Sequence, residues 1–126
     1  MGGQRRIEWI LRIAVACEFG GHGYFAICGN AAWVPFITMF GFSSSAAVGV
    51  MPWVGAFDVC LALLVLVYPM RAAILWMAFW SLFAAALRPL SGLSIFEFVE
   101  RGANWGAPLA LFFVRGIPKK WRDWLR

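Results

Sequence analysis

Four apolar runs, at about 7–29, 46–68, 72–88 and 95–114, divide this chain, with short connections between them. About 20 apolar residues is the length of helix that crosses the hydrocarbon core of a bilayer. In that core every backbone N–H and C=O must be satisfied within the segment, so such runs are helices. The pattern predicts an all-α, integral membrane four-helix bundle. Composition agrees, because only 13% of residues are charged and 63% are hydrophobic. A soluble domain averages nearer a quarter charged. In 126 residues there is room for four crossings and little else.

The connections carry the turn and charge signals. Trp33-Val-Pro-Phe-Ile-Thr-Met-Phe40 is apolar but too short to span, so it reads as a short interfacial helix between spans one and two. Gly41 ends it, and Ser43-Ser44-Ser45 can cap the next helix. Tyr68-Pro69-Met70-Arg71 is a tight basic turn, and Arg88-Pro89 closes span three. The tail 116–126 places Ile117, Trp121, Trp124 and Leu125 at helical spacing among basic residues, the pattern of an interfacial anchor on an anionic leaflet.

Nine of the 11 Lys and Arg residues fall at one end of the bundle if both termini lie on the same side; only Arg88 and Arg101 fall at the other. The positive-inside rule then makes that side cytoplasmic. The expected location is the bacterial inner membrane, crossed several times. The first run is too long, and too charged with Arg12, Glu18 and His22, for a cleaved signal, so it reads as a retained span. The basic residues flank spans and form no groove-sized patch, which argues against nucleic acid as a partner.

Ionisable groups inside the runs are the candidates for function, because each is costly at membrane depth unless paired, neutralised or wetted. Glu18 and the chain's only histidine, His22, lie four apart on span one, on one helix face and about 6 Å apart along the axis. Asp58 is near the middle of span two, and Arg88 ends span three. Span four opens with Glu97, Glu100, Arg101 and Asn104, with Glu97 and Arg101 in the favourable acidic-first order. Topology brings all of these to one outer-half layer. The expectation is a single buried network of Glu18, His22, Asp58, Arg88, Glu97, Glu100 and Arg101. In it Arg101 faces inward and neutralises Glu97, Glu18 or Asp58. Four acids against two arginines cannot stand fully ionised in low dielectric. A carboxyl is protonated, or His22 is cationic, or a partner supplies charge. The network either ties four helices together or serves a ligand such as a quinone. His22 is also a candidate axial ligand to haem or a chlorophyll-type pigment.

Cys17, Cys28 and Cys60 show no metal or C-x-x-C spacing. Cys17 and Cys60 read as small buried mid-span residues, with Cys28 near a helix end. No Walker, Rossmann, zinc or nucleophile-elbow motif occurs.

Arg12-Ile-Ala-Val-Ala, Phe19-Gly-Gly-His-Gly23, Trp33-Val-Pro-Phe-Ile, Gly41, Val54-Gly-Ala-Phe-Asp58 and Leu61-Ala-Leu-Leu together resemble the DoxX-like family of small four-span membrane proteins. The resemblance covers about residues 10–68. It implies association with membrane redox systems, including a quinone-linked thiosulfate oxidoreductase subunit. The chain departs from the pattern at Tyr24-Phe25-Ala26, where a basic residue usually follows the first-helix glycine. The expected function is a small, non-catalytic accessory subunit of a larger respiratory or photosynthetic membrane complex engaged in electron transport. Its expected partners are membrane lipids and other integral membrane subunits. A quinone, carotenoid, chlorophyll-type pigment or haem would be held together with those partner subunits. The alternative is a DoxX-like quinone-linked oxidoreductase subunit.

Overall fold

The computed structural model describes residues 2–126, and over them the chain is all-α. The helices are α1 (Gly3–Ile27), α2 (Val34–Thr38), α3 (Ser44–Val67), α4 (Arg71–Leu90), α5 (Ile95–Val99) and α6 (Gly102–Val114). A 3-10 turn at Ala31–Trp33 leads into α2, and another at Trp121–Leu125 closes the chain. Ser43 starts α3 as the spacing predicts, its Oγ accepting the Ala46 N–H at 3.1 Å. Gly41 takes a φ of 92° after α2, a left-handed conformation that a Cβ would strain.

Two helices, α3 and α4, are each long and apolar enough to cross a membrane. The first helix is longer, but Arg5, Arg6, Glu8 and Arg12 occupy its opening turns. The fourth apolar run differs from expectation, since it is two helices broken at Glu100–Arg101. The Arg101 N–H turns back to the Phe98 carbonyl at 3.1 Å, and its guanidinium donates to the Glu97 carbonyl at 2.7 Å. That side chain competes for the backbone oxygens that a continuous helix would use. The tail differs as well. It is a 3-10 turn in which Trp124 folds inward against Phe112 while Trp121, at its start, stays 79% exposed.

α1 packs along α3 and on α6, and α4 packs on α6 and α5. Although α3 and α4 are consecutive, they meet only sparingly. The core joins Val15, Ala16 and Phe19 of α1 to Leu61, Ala62 and Val65 of α3, Ile74 and Met77 of α4, and Leu111 and Phe112 of α6. All of these lie toward the end of the bundle that holds both termini. That end is filled and the other is hollow.

Arginines lock the filled end. Arg12, buried, donates to the carbonyls of Val65, at 2.9 Å, and of Leu66. It thereby satisfies two orphan acceptors at the C-terminus of α3. Its guanidinium also lies 3.9 Å from the Trp9 ring centroid. Glu8 accepts from Arg115 at 2.6 Å, which ties α1 to the end of α6. Arg71 donates to the carbonyls of Gly116 at 2.7 Å, of Arg126 at 3.0 Å, and of Arg115. The Tyr68 hydroxyl donates to the Leu125 carbonyl at 2.6 Å, so the tail is clamped under the α3–α4 turn.

At mid-height α1 and α3 cross on glycine. A Cβ added to Gly23 would lie 2.6 Å from the Gly55 carbonyl oxygen, and one added to Gly55 would lie 2.8 Å from the Ile27 nitrogen. Small residues permit such backbone contact between helices. Outward from the bundle, Trp53, Phe57, Leu63 and Val67 of α3 and Phe79 of α4 each keep more than half their surface exposed. Cys17 of α1 and Cys60 of α3, expected to be buried, are exposed, and so is Cys28 just after α1. All three are free thiols.

Candidate functional site

The sparse α3–α4 seam leaves a cavity of about 390 Å³ in the hollow half of the bundle. Five elements build it. The Gly23–Gly55 crossing holds α1 and α3 backbone to backbone, which sets Glu18 and His22 on one wall and Asp58, one turn beyond Gly55, on the next. The third wall is α4, with Trp80, Ser81, Phe83 and Arg88. Phe36 and Phe40, from α2 and the turn after it, cover the open end, and Arg101 and Asn104 close the remaining side. A second cavity of about 400 Å³ lies beside it, bounded by Cys17, Gly21, Phe25 and Asn30. Glu18, His22, Trp33, Arg88 and Arg101 line both.

Five of the seven residues of the expected network, Glu18, His22, Asp58, Arg88 and Arg101, line the first cavity; Glu97 and Glu100 do not. No side-chain hydrogen bond or ion pair joins these five to one another. Glu18 Oε1 accepts a hydrogen bond from the Ser81 hydroxyl at 3.2 Å, linking α1 to α4. Asp58 is 7% exposed, and its Oδ1 has no hydrogen-bond partner among the described residues. His22 lies tilted against Trp33, with ring centroids 5.6 Å apart. Arg88 sits over the Phe36 ring at 4.5 Å, and its buried Nε has no partner.

Arg101 departs from expectation in its partners. Its Nη1 reaches Glu97 Oε2 at 2.9 Å and Glu100 Oε1 at 2.8 Å, and it makes no ion pair with Glu18 or Asp58. The reason is local. One residue N-terminal and one turn N-terminal are the nearest carboxylates, and the break at Glu100 turns both toward it. These pairs are partly exposed, with the Glu100 side chain 65% accessible.

Sequence reasoning passed over Ser81 and Trp80 as site residues. Ser81 is the one hydroxyl in the apolar heart of α4 and lies seven residues before Arg88, hence on the same helix face. That spacing was a usable signal. Glu8 was passed over too, though it stands four residues before Arg12 in the order that favours an ion pair; the two come to 4.0 Å.

No family model, curated protein or solved structure matches this chain. The site is therefore read from its own chemistry. The walls are mostly aromatic and aliphatic, with a few converging polar groups, the make-up of a small-molecule site. Its carboxyls and histidine can exchange hydrogen bonds or protons with a ligand, and its arginines can bind acceptor oxygens. Among the described residues no group of three or more His, Cys, Asp and Glu is placed to hold a metal ion.

Proposed function

We propose that this chain is a DoxX-like, four-crossing membrane protein, a small accessory subunit of a larger redox membrane complex, and that its cavity holds an amphiphilic molecule drawn from the bilayer. The single observation that carries the reading is the cavity itself: an apolar, aromatic-walled space in which Glu18, His22, Asp58 and Arg88 converge. The broad outward-facing apolar surface of α3 and α4 suits lipid or the helices of partner subunits. In the proposed topology α1, α3, α4 and the α5–α6 pair each cross once. Both termini then face the cytoplasm, with Arg5, Arg6, Arg71, Lys119 and Lys120 at that face. The cavity lies in the opposite half. A quinone, a lipid or a pigment of modest size all have the required mixture of ring or chain and polar head.

The test has two arms. Tagged protein extracted in mild detergent is expected to bring down other integral membrane subunits; recovery only as a free monomer or homodimer contradicts the subunit reading. Purified protein is expected to bind a quinone or lipid analogue saturably, and failure to bind any contradicts the cavity reading. The second reading, a quinone-linked oxidoreductase subunit, is favoured by the two cavity carboxyls of Glu18 and Asp58. Unchanged turnover in Glu18→Gln and Asp58→Asn variants of the intact complex would exclude it.

A further inference from the structure

Arg88 is held in the cavity wall without an acceptor. It donates no hydrogen bond to any described residue, makes no ion pair, and its Nε is buried and unpartnered. Arg88 is half-buried, and a cation partly withdrawn from water is costly to that extent unless paired and hydrogen-bonded. Glu97 and Glu100 hold Arg101, Glu18 accepts from Ser81, and Asp58, whose Oδ1 is itself unpartnered, makes no ion pair with Arg88. His22, which lies in the field of Arg88 and Arg101, brings no negative charge. The donors of Arg88 are therefore free for a ligand in the cavity.

The geometry points to an oxyanion-headed amphiphile as the cavity's ligand, with its carboxylate or phosphate on the Arg88 guanidinium. This rests on the reading of the cavity as a ligand site and names the class of ligand. Phe36 covers one face of the guanidinium, so the in-plane N–H groups are the ones left to bind. That fork matches a carboxylate or phosphate bidentately. Asn104 lines the same cavity and adds an amide donor. Glu18 and Asp58, the carboxyls of the wall, bring no positive charge, so the Arg88 end is where an oxyanion is drawn. Met51, Val54, Phe83 and Ala84 leave only apolar surface for the remainder of the ligand, so a bare inorganic anion would waste most of the space.

The test uses the purified chain in a neutral detergent. The probe is a dibrominated stearate, read by its quenching of Trp33 and Trp80 emission, both of which line the cavity. Only the saturable part displaced by unlabelled stearate is counted. The stearate is expected to bind at least about tenfold more tightly than its methyl ester, and Arg88→Gln is expected to remove that difference. Arg88→Lys keeps the charge and is expected to retain part of it. A brominated monoacyl phosphate that outcompetes the stearate would support the proposal with a phospholipid-type head as the source, and the reverse would support a free fatty acid. Equal binding of acid and ester overturns the oxyanion assignment and leaves the cavity reading standing. Binding of neither overturns both. Displacement of the probe by inorganic phosphate alone overturns the amphiphile in favour of a small-anion site. The ester comparison is made on the wild-type chain, so the outcome does not depend on the folding of any variant.

Discussion

Gly55→Ala tests the backbone contact on which the cavity is built. The added Cβ would lie 2.9 Å from the Ala26 Cβ and 2.8 Å from the Ile27 nitrogen. Carbon atoms rest about 3.5–4.0 Å apart, so α1 and α3 must separate by roughly 0.6–1 Å. Overpacking a tight site costs about 1–3 kcal/mol. The obstacles here are mostly backbone atoms, which cannot rotate away, so the upper end applies. Alanine's better helix propensity returns about 1 kcal/mol, leaving a net loss of about 2 kcal/mol. Gly21→Ala is the control, because a Cβ there meets nothing within 4 Å and the same propensity gain stands alone. Gly23→Ala opposes the same contact from the other side, so the double variant Gly23→Ala/Gly55→Ala should lose less than the sum of the singles. The assay is reversible unfolding in one detergent across the wild type and the four variants. The separation also moves Asp58 away from Glu18, so ligand binding should weaken in Gly55→Ala and not in Gly21→Ala. If Gly55→Ala is as stable as Gly21→Ala, the helices do not touch through their backbones and the reasoning fails.

Arg12→Met should lose about 3 kcal/mol, because it removes charge-assisted bonds to two carbonyls that then have no partner; unfolding in detergent reads this, and a neutral result would mean water replaces them. Arg101→Ala should lose only about 1–2 kcal/mol, the scale of two partly exposed ion pairs and not the 3–5 of a buried one, with Glu97→Gln costing less on that background than alone. Asp123 accepts the backbone N–H groups of Lys119 and Lys120, which hold its carboxyl below the usual range. A depressed folded value stabilises the tail above the ordinary carboxyl pKa of about 4, and the benefit is lost as pH falls through the folded value. Trp124 fluorescence followed in acid should report that loss in the wild type, and Asp123→Asn should abolish its pH dependence. An impermeant maleimide added to intact cells should label Cys28 and spare Cys17 and Cys60, which face lipid in the proposed topology; labelling of Cys28 only from the cytoplasmic side would reverse that topology.

The helical class was legible because apolar run length and the Ser43 cap are local properties. The Glu97–Arg101 pairing was legible for the same reason, being an i,i+4 relation on one turn. Its consequence was not. Sequence spacing treats the arginine as a side-chain partner only, whereas its guanidinium also takes the Glu97 carbonyl and accompanies a break in the helix. Arg12 illustrates a similar blindness. Its acceptors are backbone oxygens of α3, 53 and 54 residues away, and no residue type marks them. The tail misread came from placing Trp121 and Trp124 on one apolar face by spacing alone, whereas Trp124 packs on Phe112 and Trp121, at the start of the turn, stays exposed. The cavity itself is a failure of two consecutive helices to pack, and a packing gap has no signature in either helix alone.

Native mass spectrometry of the protein released from its own membranes tests the central claim most directly, with wild type beside Ala84→Trp, whose indole would fill the apolar part of the cavity. The account predicts a one-to-one adduct of a bilayer amphiphile on the wild-type chain and its absence from Ala84→Trp. An adduct-free wild type, or the same adducts at the same occupancy in both proteins, would contradict it.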